Sequence, residues 1–125
     1  MSNYISNNTK ISVYELQKNE ASLFEEFVDE IEKDGNLFDK LAGAIRIIEE
    51  TSNLNRYPKT KFREIQGHKL NCKIYEAKSG IIRIYIFHEE KTGRIIITGG
   101  LKNNQPKDIK SILKTIKEYQ DEKQK

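Results

Sequence analysis

The sequence predicts an α+β domain of two layers. An N-terminal strand, a helical hairpin, an antiparallel β meander and a C-terminal helix follow one another. Three observations lead there. Residues 23–53 carry apolar side chains at helical spacing. Residues 62–98 carry β-branched runs broken by short turn signals. After Pro106 the helical period returns. At 125 residues the chain suits one domain with a modest core.

The first ten residues, "MSNYISNNTK", are polar and rich in Asn and Ser. They are expected to be a disordered segment, which leaves 11–125 as the single domain. Ile11–Gln17 reads as the first strand. Leu23, Phe24, Phe27, Val28 and Ile31 then define a helix, opened by the capping-box pair Ser22 and Glu25 and stopped at Gly35. A second helix is expected over Leu37–Asn53, with Asn36 as its cap and Leu37, Leu41, Ala44, Ile45 and Ile48 on one face. The link Asp34-Gly35-Asn36 is short, which favours an antiparallel helical hairpin.

After a polar connection containing Pro58, four strands are expected: Phe62–Gln66, Leu70–Lys78, Ile81–His88 and Arg94–Thr98. Ser79-Gly80 and Lys91-Thr92-Gly93 supply turns between the last three, which makes them an antiparallel meander. Pro106 and Asp108 suit the first turn of a closing helix. Its apolar face is Ile109, Ile112, Leu113, Ile116 and Tyr119, and Lys107, Lys110, Lys114 and Lys117 form a basic stripe. Helices are expected on one face of the sheet, with the other face partly open.

Charge is unevenly spread. Residues 1–50 hold 5 Lys/Arg against 11 Asp/Glu, and residues 51–125 hold 17 against 8. A basic half beside an acidic half suggests a side facing a polyanion. The single cysteine, Cys72, rules out an internal disulfide, and no apolar run reaches the roughly 18 residues of a membrane span. The N-terminal residues lack the apolar stretch of a signal peptide. A cytoplasmic protein without membrane association is expected. Two separated histidines and one cysteine give no zinc pattern, and "TGRIIITGG" lacks a phosphate-loop lysine, so no metal and no cofactor are expected.

Strand alternation separates the charges from the core. Ile82, Ile84 and Ile86 share one side of their strand and suit the core, which leaves Arg83 and Tyr85 for the open face. In the next strand Ile95 and Ile97 again form a purely apolar side suited to the core, and Arg94, with Ile96 and Thr98, falls on the other side, like Arg83. In Leu70–Lys78 either Lys73 with Tyr75, or Glu76 with Lys78, joins Arg83, because a one-residue slip exchanges the two sets. Cations beside an aromatic ring suit phosphate and bases.

"IYEAKSGIIRIYIF" followed by "RIIITGGLKNN" resembles the RelE/HigB-like type II toxin superfamily, in particular its phage-derived HigB-like branch. Ile74-Tyr75-Glu76-Ala77-Lys78, Ile82-Arg83-Ile84 and Gly100-Leu101-Lys102-Asn103 stand in the order of that branch's motifs, followed by Pro106 and Ile109. The likeness runs from about Leu23 to Tyr119. It implies a RelE/ParE-like toxin fold and a metal-independent messenger-RNA endoribonuclease that works on the ribosome, with the RNA 2′-hydroxyl as nucleophile. A cognate antitoxin is the implied partner.

The resemblance also selects Glu76 and Lys78, over Lys73 and Tyr75, for the active face. Its catalytic candidates are Arg83, Lys78, Glu76 and Lys102. Lys78 and Arg83 would grip phosphate, Lys102 would add charge at the rim, and Glu76 is a candidate base with His68 or His88 as acid. Tyr85, Arg94, Asn103 and Lys73 are the candidate RNA-binding residues. Asn103 stands where relatives carry a second cation, and Glu76 where some active relatives carry lysine. These departures keep two alternatives in view: a ParE-like toxin acting on gyrase without cutting RNA, and a non-catalytic nucleic-acid- or protein-binding remnant of the fold.

Overall fold

A computed structural model describes residues 2–6, 9–18 and 20–123. In chain order the elements are β1 (Ser2–Ser6), β2 (Val13–Lys18), β3 (Ala21–Ser22), α1 (Leu23–Glu32), α2 (Gly35–Ser52), β4 (Phe62–Glu64), β5 (Ile74–Ser79), β6 (Ile82–Glu89), β7 (Gly93–Leu101) and α3 (Gln105–Lys123). The α+β class is as expected. The main sheet runs β1-β2-β7-β6-β5-β4, and β3 pairs only with the end of β2. The meander β5–β6–β7 is antiparallel as expected, but β2 lies parallel to β7, so the sheet is mixed. Within the first ten residues, Ser2–Ser6 pairs antiparallel with β2 at the sheet edge; Met1, Asn7 and Asn8 lie outside the described residues.

Local signals account for most boundaries. Ser22 caps α1 by accepting from the Glu25 amide at 3.1 Å. Asp34, not Asn36, caps α2, accepting from the Asn36 amide at 3.0 Å, so Gly35 opens the second helix instead of closing the first. The strand expected over Leu70–Lys78 begins at Ile74. The chain before it turns at Gly67, where φ is +83°, and His68 Nδ1 accepts the Leu70 amide at 3.2 Å.

The expected two layers are three, and this is the main correction. The hairpin α1–α2 packs Phe24, Phe27, Ile31, Leu41 and Ile48 on one face of the sheet, against Ile82, Ile84, Ile86 and Ile96. Helix α3 packs Ile112, Ile116 and Tyr119 on the other face, against Ile74, Tyr85, Phe87, Ile95 and Ile97. That second face was expected to be open. Its own composition explains the cover: Ile74, Phe87, Ile95 and Ile97 are apolar, and each such side chain gains about 1.5–3 kcal/mol when buried. Helix α3 follows β7 after a single 3₁₀ turn, Lys102–Asn104, and folds back over the nearest apolar surface.

The alternation itself holds through Ile96. A register shift then pairs Tyr85 with Thr98 and Ile86 with Ile96, so Ile97 bulges and Thr98 changes side. Beyond the bulge, a Cβ at Gly99 would enter the Phe27 ring. Helix α1 therefore rests directly on the backbone there.

Candidate functional site

The bulge and the start of α3 gather polar groups at one end of the meander. Glu76 lies directly across from Tyr85, and Lys78 across from Arg83. Glu76 and Lys78 thus share the α3 face with Arg83 and Tyr85, the choice that the family resemblance favoured. Glu76 is fully buried, at 0% exposure, and both carboxylate oxygens are engaged. Oε1 accepts from Arg63 Nε at 2.8 Å, and Oε2 accepts from Gln105 Nε2 at 2.6 Å. Lys78 Nζ stands 3.9 Å from Oε1. A buried carboxylate needs such partners, because an unpaired one costs several kcal/mol.

Arg83 is also buried, at 6% exposure. Its Nη1 donates to the carbonyls of Gly80 at 2.8 Å and Ile82 at 2.9 Å, at the β5–β6 turn, while Nε has no acceptor among the described residues. Its guanidinium caps the turn and is not presented to solvent, contrary to expectation. Tyr85 is fully buried as well and offers no stacking surface. Its hydroxyl lies near Glu76 without hydrogen-bond geometry. Burial, with the Glu76 and Asp108 carboxylates nearby, pushes the phenol far above its usual range, so it stays protonated.

Two further groups complete the cluster. Lys102 is exposed in the 3₁₀ turn, anchored by its amide to the Ile81 carbonyl at 2.8 Å, and Asn103 beside it is exposed too. Asp108, in the first turn of α3, lies over Gly100, where a Cβ would strike its carboxylate. Burial raises the Asp108 carboxyl above the usual carboxylate range, against the lowering effect of Lys107. Burial lowers the Lys78 ammonium; Glu76 opposes this, and Arg63, Arg83 and Lys102 add to the lowering. Three other cations thus act on Lys78 beside one buried carboxylate.

Arg63, Gln105 and Asp108 were not identified from sequence as members of this site. Arg63 joins through its cross-strand pairing with Glu76, and Gln105 and Asp108 through the return of α3. Only the helix-opening pattern around Pro106 hinted at the latter two.

Other candidates lie elsewhere. Arg94 is on the α1–α2 face, at 7% exposure. Its Nη1 donates to Thr51 Oγ1 and Ser52 Oγ, both at 2.8 Å, and its guanidinium carbon stands 5.1 Å from the centre of the Phe62 ring and 5.5 Å from that of Tyr75. Lys73 and His68 join Arg94 and His88 along a groove at the opposite end of the meander. None of these four belongs to the Glu76 cluster. Among the described residues no group of His, Cys, Asp or Glu is arranged to hold a metal, and no helix is long and apolar enough to cross a membrane.

Comparison with protein-family models, with curated proteins and with solved structures finds no match to this chain. What the fold defines is an α+β domain with a mixed sheet and a cation-rich cluster at one sheet end.

Proposed function

We propose that the chain is the toxin of a type II toxin–antitoxin pair and that it cuts messenger RNA on the ribosome. The observation that carries this reading is that Arg63 and Lys78 stand at Glu76 while Arg83 and Lys102 are near enough to act on Lys78. In such a cleavage the RNA 2′-oxygen bonds to phosphorus and the bond to the 5′-oxygen breaks. One proton leaves the 2′-hydroxyl and one reaches the departing oxygen. Negative charge grows on the phosphoryl oxygens, and fixed cations favour it.

Lys102 is exposed and the Lys78 side chain is 22% exposed, so these two meet the phosphate. Arg83 and Glu76 act behind them as positioning residues. Both Glu76 oxygens are already occupied, which argues against its serving as the base. Asp108, whose carboxyl burial raises, and Lys78, whose ammonium burial lowers, are the groups of the cluster left to exchange protons with the RNA. An antitoxin would cover the same cations with acidic side chains.

The burial of Glu76, Arg83 and Tyr85 favours a second reading, a binding domain that keeps the cluster for stability. Induced expression in a bacterial host separates the two. The nuclease reading expects growth arrest with messages cut during translation, and Lys78→Ala lowers cleavage about 100-fold while the circular dichroism is unchanged. Arrest with intact messages and broken DNA would mean a gyrase-directed toxin. Undisturbed growth would leave the binding domain.

A further inference from the structure

Buried charges in proteins are paired almost without exception. Arg94 departs from this. It is 7% exposed, and no carboxylate oxygen of the described residues lies within 4.0 Å of it. Both of its hydrogen bonds leave from Nη1, toward Thr51 and Ser52. Its Nε and Nη2 donors, the two parallel N–H groups that grip an oxyanion side-on, take no acceptor among the described residues. The Phe62 and Tyr75 rings hold the guanidinium in place. Desolvation lowers its pKa, the direction expected of a cation lacking a counter-ion.

The setting is concave. Arg94 lines an open groove of about 900 Å³, within the range of small-ligand sites. The sheet register brings two more basic groups to the same rim. His88 lies directly across from Arg94, and the His88 amide donates to the Lys73 carbonyl at 2.9 Å. By strand alternation Lys73, Tyr75, His88 and Arg94 share one face. With His68, four basic side chains line the groove, which suits a dianion better than a singly charged carboxylate. Glu64, Glu89 and Glu90 also line the groove; Glu89 is engaged by Thr92 and Lys123, and Glu64 lies beyond 4.0 Å from Arg94.

We infer that this groove binds the phosphate group of a small phosphorylated molecule, with Arg94 Nε and Nη2 gripping two phosphate oxygens and Lys73 and His88 completing the charge. The gripping residue, Arg94, is on the opposite sheet face from Glu76, and occupancy of the groove does not depend on RNA cleavage.

The ¹⁵N-labelled full-length chain is titrated with inorganic phosphate, adenosine 5′-monophosphate and acetate at matched ionic strength, following the Arg94 Nε–H resonance. Phosphate is expected to move it saturably and the nucleotide at lower concentration, with acetate inert. Stronger binding of inorganic phosphate than of the nucleotide would restrict the site to the free ion and overturn the assignment. So would an equal response to acetate, or no response in a folded chain.

Lys73→Ala, at an exposed position, is expected to weaken nucleotide binding about threefold to fivefold. Arg94→Lys is expected to weaken it about tenfold or more by removing the fork; if that variant does not fold, Lys73→Ala decides alone. A shift of the Arg94 resonance on Glu64→Gln with no anion added would identify Glu64 as its counter-ion and overturn the proposal.

Discussion

At one end of the β5–β6–β7 meander a carboxylate is buried among cations; at the other a guanidinium is buried with no carboxylate of the described residues within 4.0 Å. Glu76 has Arg63 and Gln105 on its two oxygens and Lys78 close by. Arg94 has two hydroxyls and two aromatic rings. The same sheet thus buries charge in two ways, by pairing and by a polar and π-rich nest. The difference lies in what removal leaves behind. Deleting Glu76 strands several cations, whereas deleting Arg94 strands no opposite charge.

The largest effect should come from Glu76→Ala. Breaking a buried pair typically costs about 3–5 kcal/mol, and urea denaturation should show a loss of that order. A loss below about 1 kcal/mol would mean that Arg63 and Lys78 are well solvated without it, and the contrast between the two ends would collapse. Arg94→Met keeps the volume and leaves only hydroxyls behind, and Thr51 Oγ1 still donates to the Ile47 carbonyl at 2.8 Å. The expected cost is about 1–2 kcal/mol, from lost hydrogen bonds and cation–π contact. A cost equal to that of Glu76→Ala would show that some anion pairs with Arg94 in solution.

Gln105→Ala removes one charge-assisted bond to Glu76 and should cost about 1 kcal/mol or slightly more, since Gln105 is half-buried and water can replace it. It should also weaken the start of α3, read as faster amide exchange over Gln105–Ile109. The smallest effect sharpens the charge balance of the cluster. Asp108 has its folded pKa raised above the unfolded value near 3.8, so the folded state holds its proton more tightly. Its contribution is complete below the unfolded pKa and is lost as pH rises through the folded one. Asp108→Asn removes that loss. Thermal midpoints of the variant and the parent chain should diverge above about pH 4 in favour of Asn, and a constant gap from pH 3 to 8 would contradict the shift.

Much of this was legible because its causes are local. Ser22 and Glu25 marked the start of α1, Pro106 marked the opening of α3, and Ser79-Gly80 set the β5–β6 turn. The parity of Ile82, Ile84 and Ile86 followed from alternation alone. The cap of α2 was misread because Asp34 and Asn36 both suit the role and only the backbone selects between them. In the cluster, Glu76, Lys78 and Arg83 were identified together, but Arg63, Gln105 and Asp108 come from segments whose approach no spacing encodes. Arg94 looked like a companion of Arg83 because both interrupt isoleucine runs; opposite strand parity puts them on opposite faces.

The sequence by itself determined the helical hairpin, the antiparallel meander, the closing helix and the shared side of Ile82, Ile84 and Ile86. These follow from backbone sterics and from periods of 2 and 3.6, which act over a few residues. Tertiary structure decided that α3 covers the face expected to be open, that Arg83 and Tyr85 are buried there, and that Arg94 stands apart. Burial of apolar area has no direction along the chain, so which helix meets which face is settled only when all the surfaces compete at once.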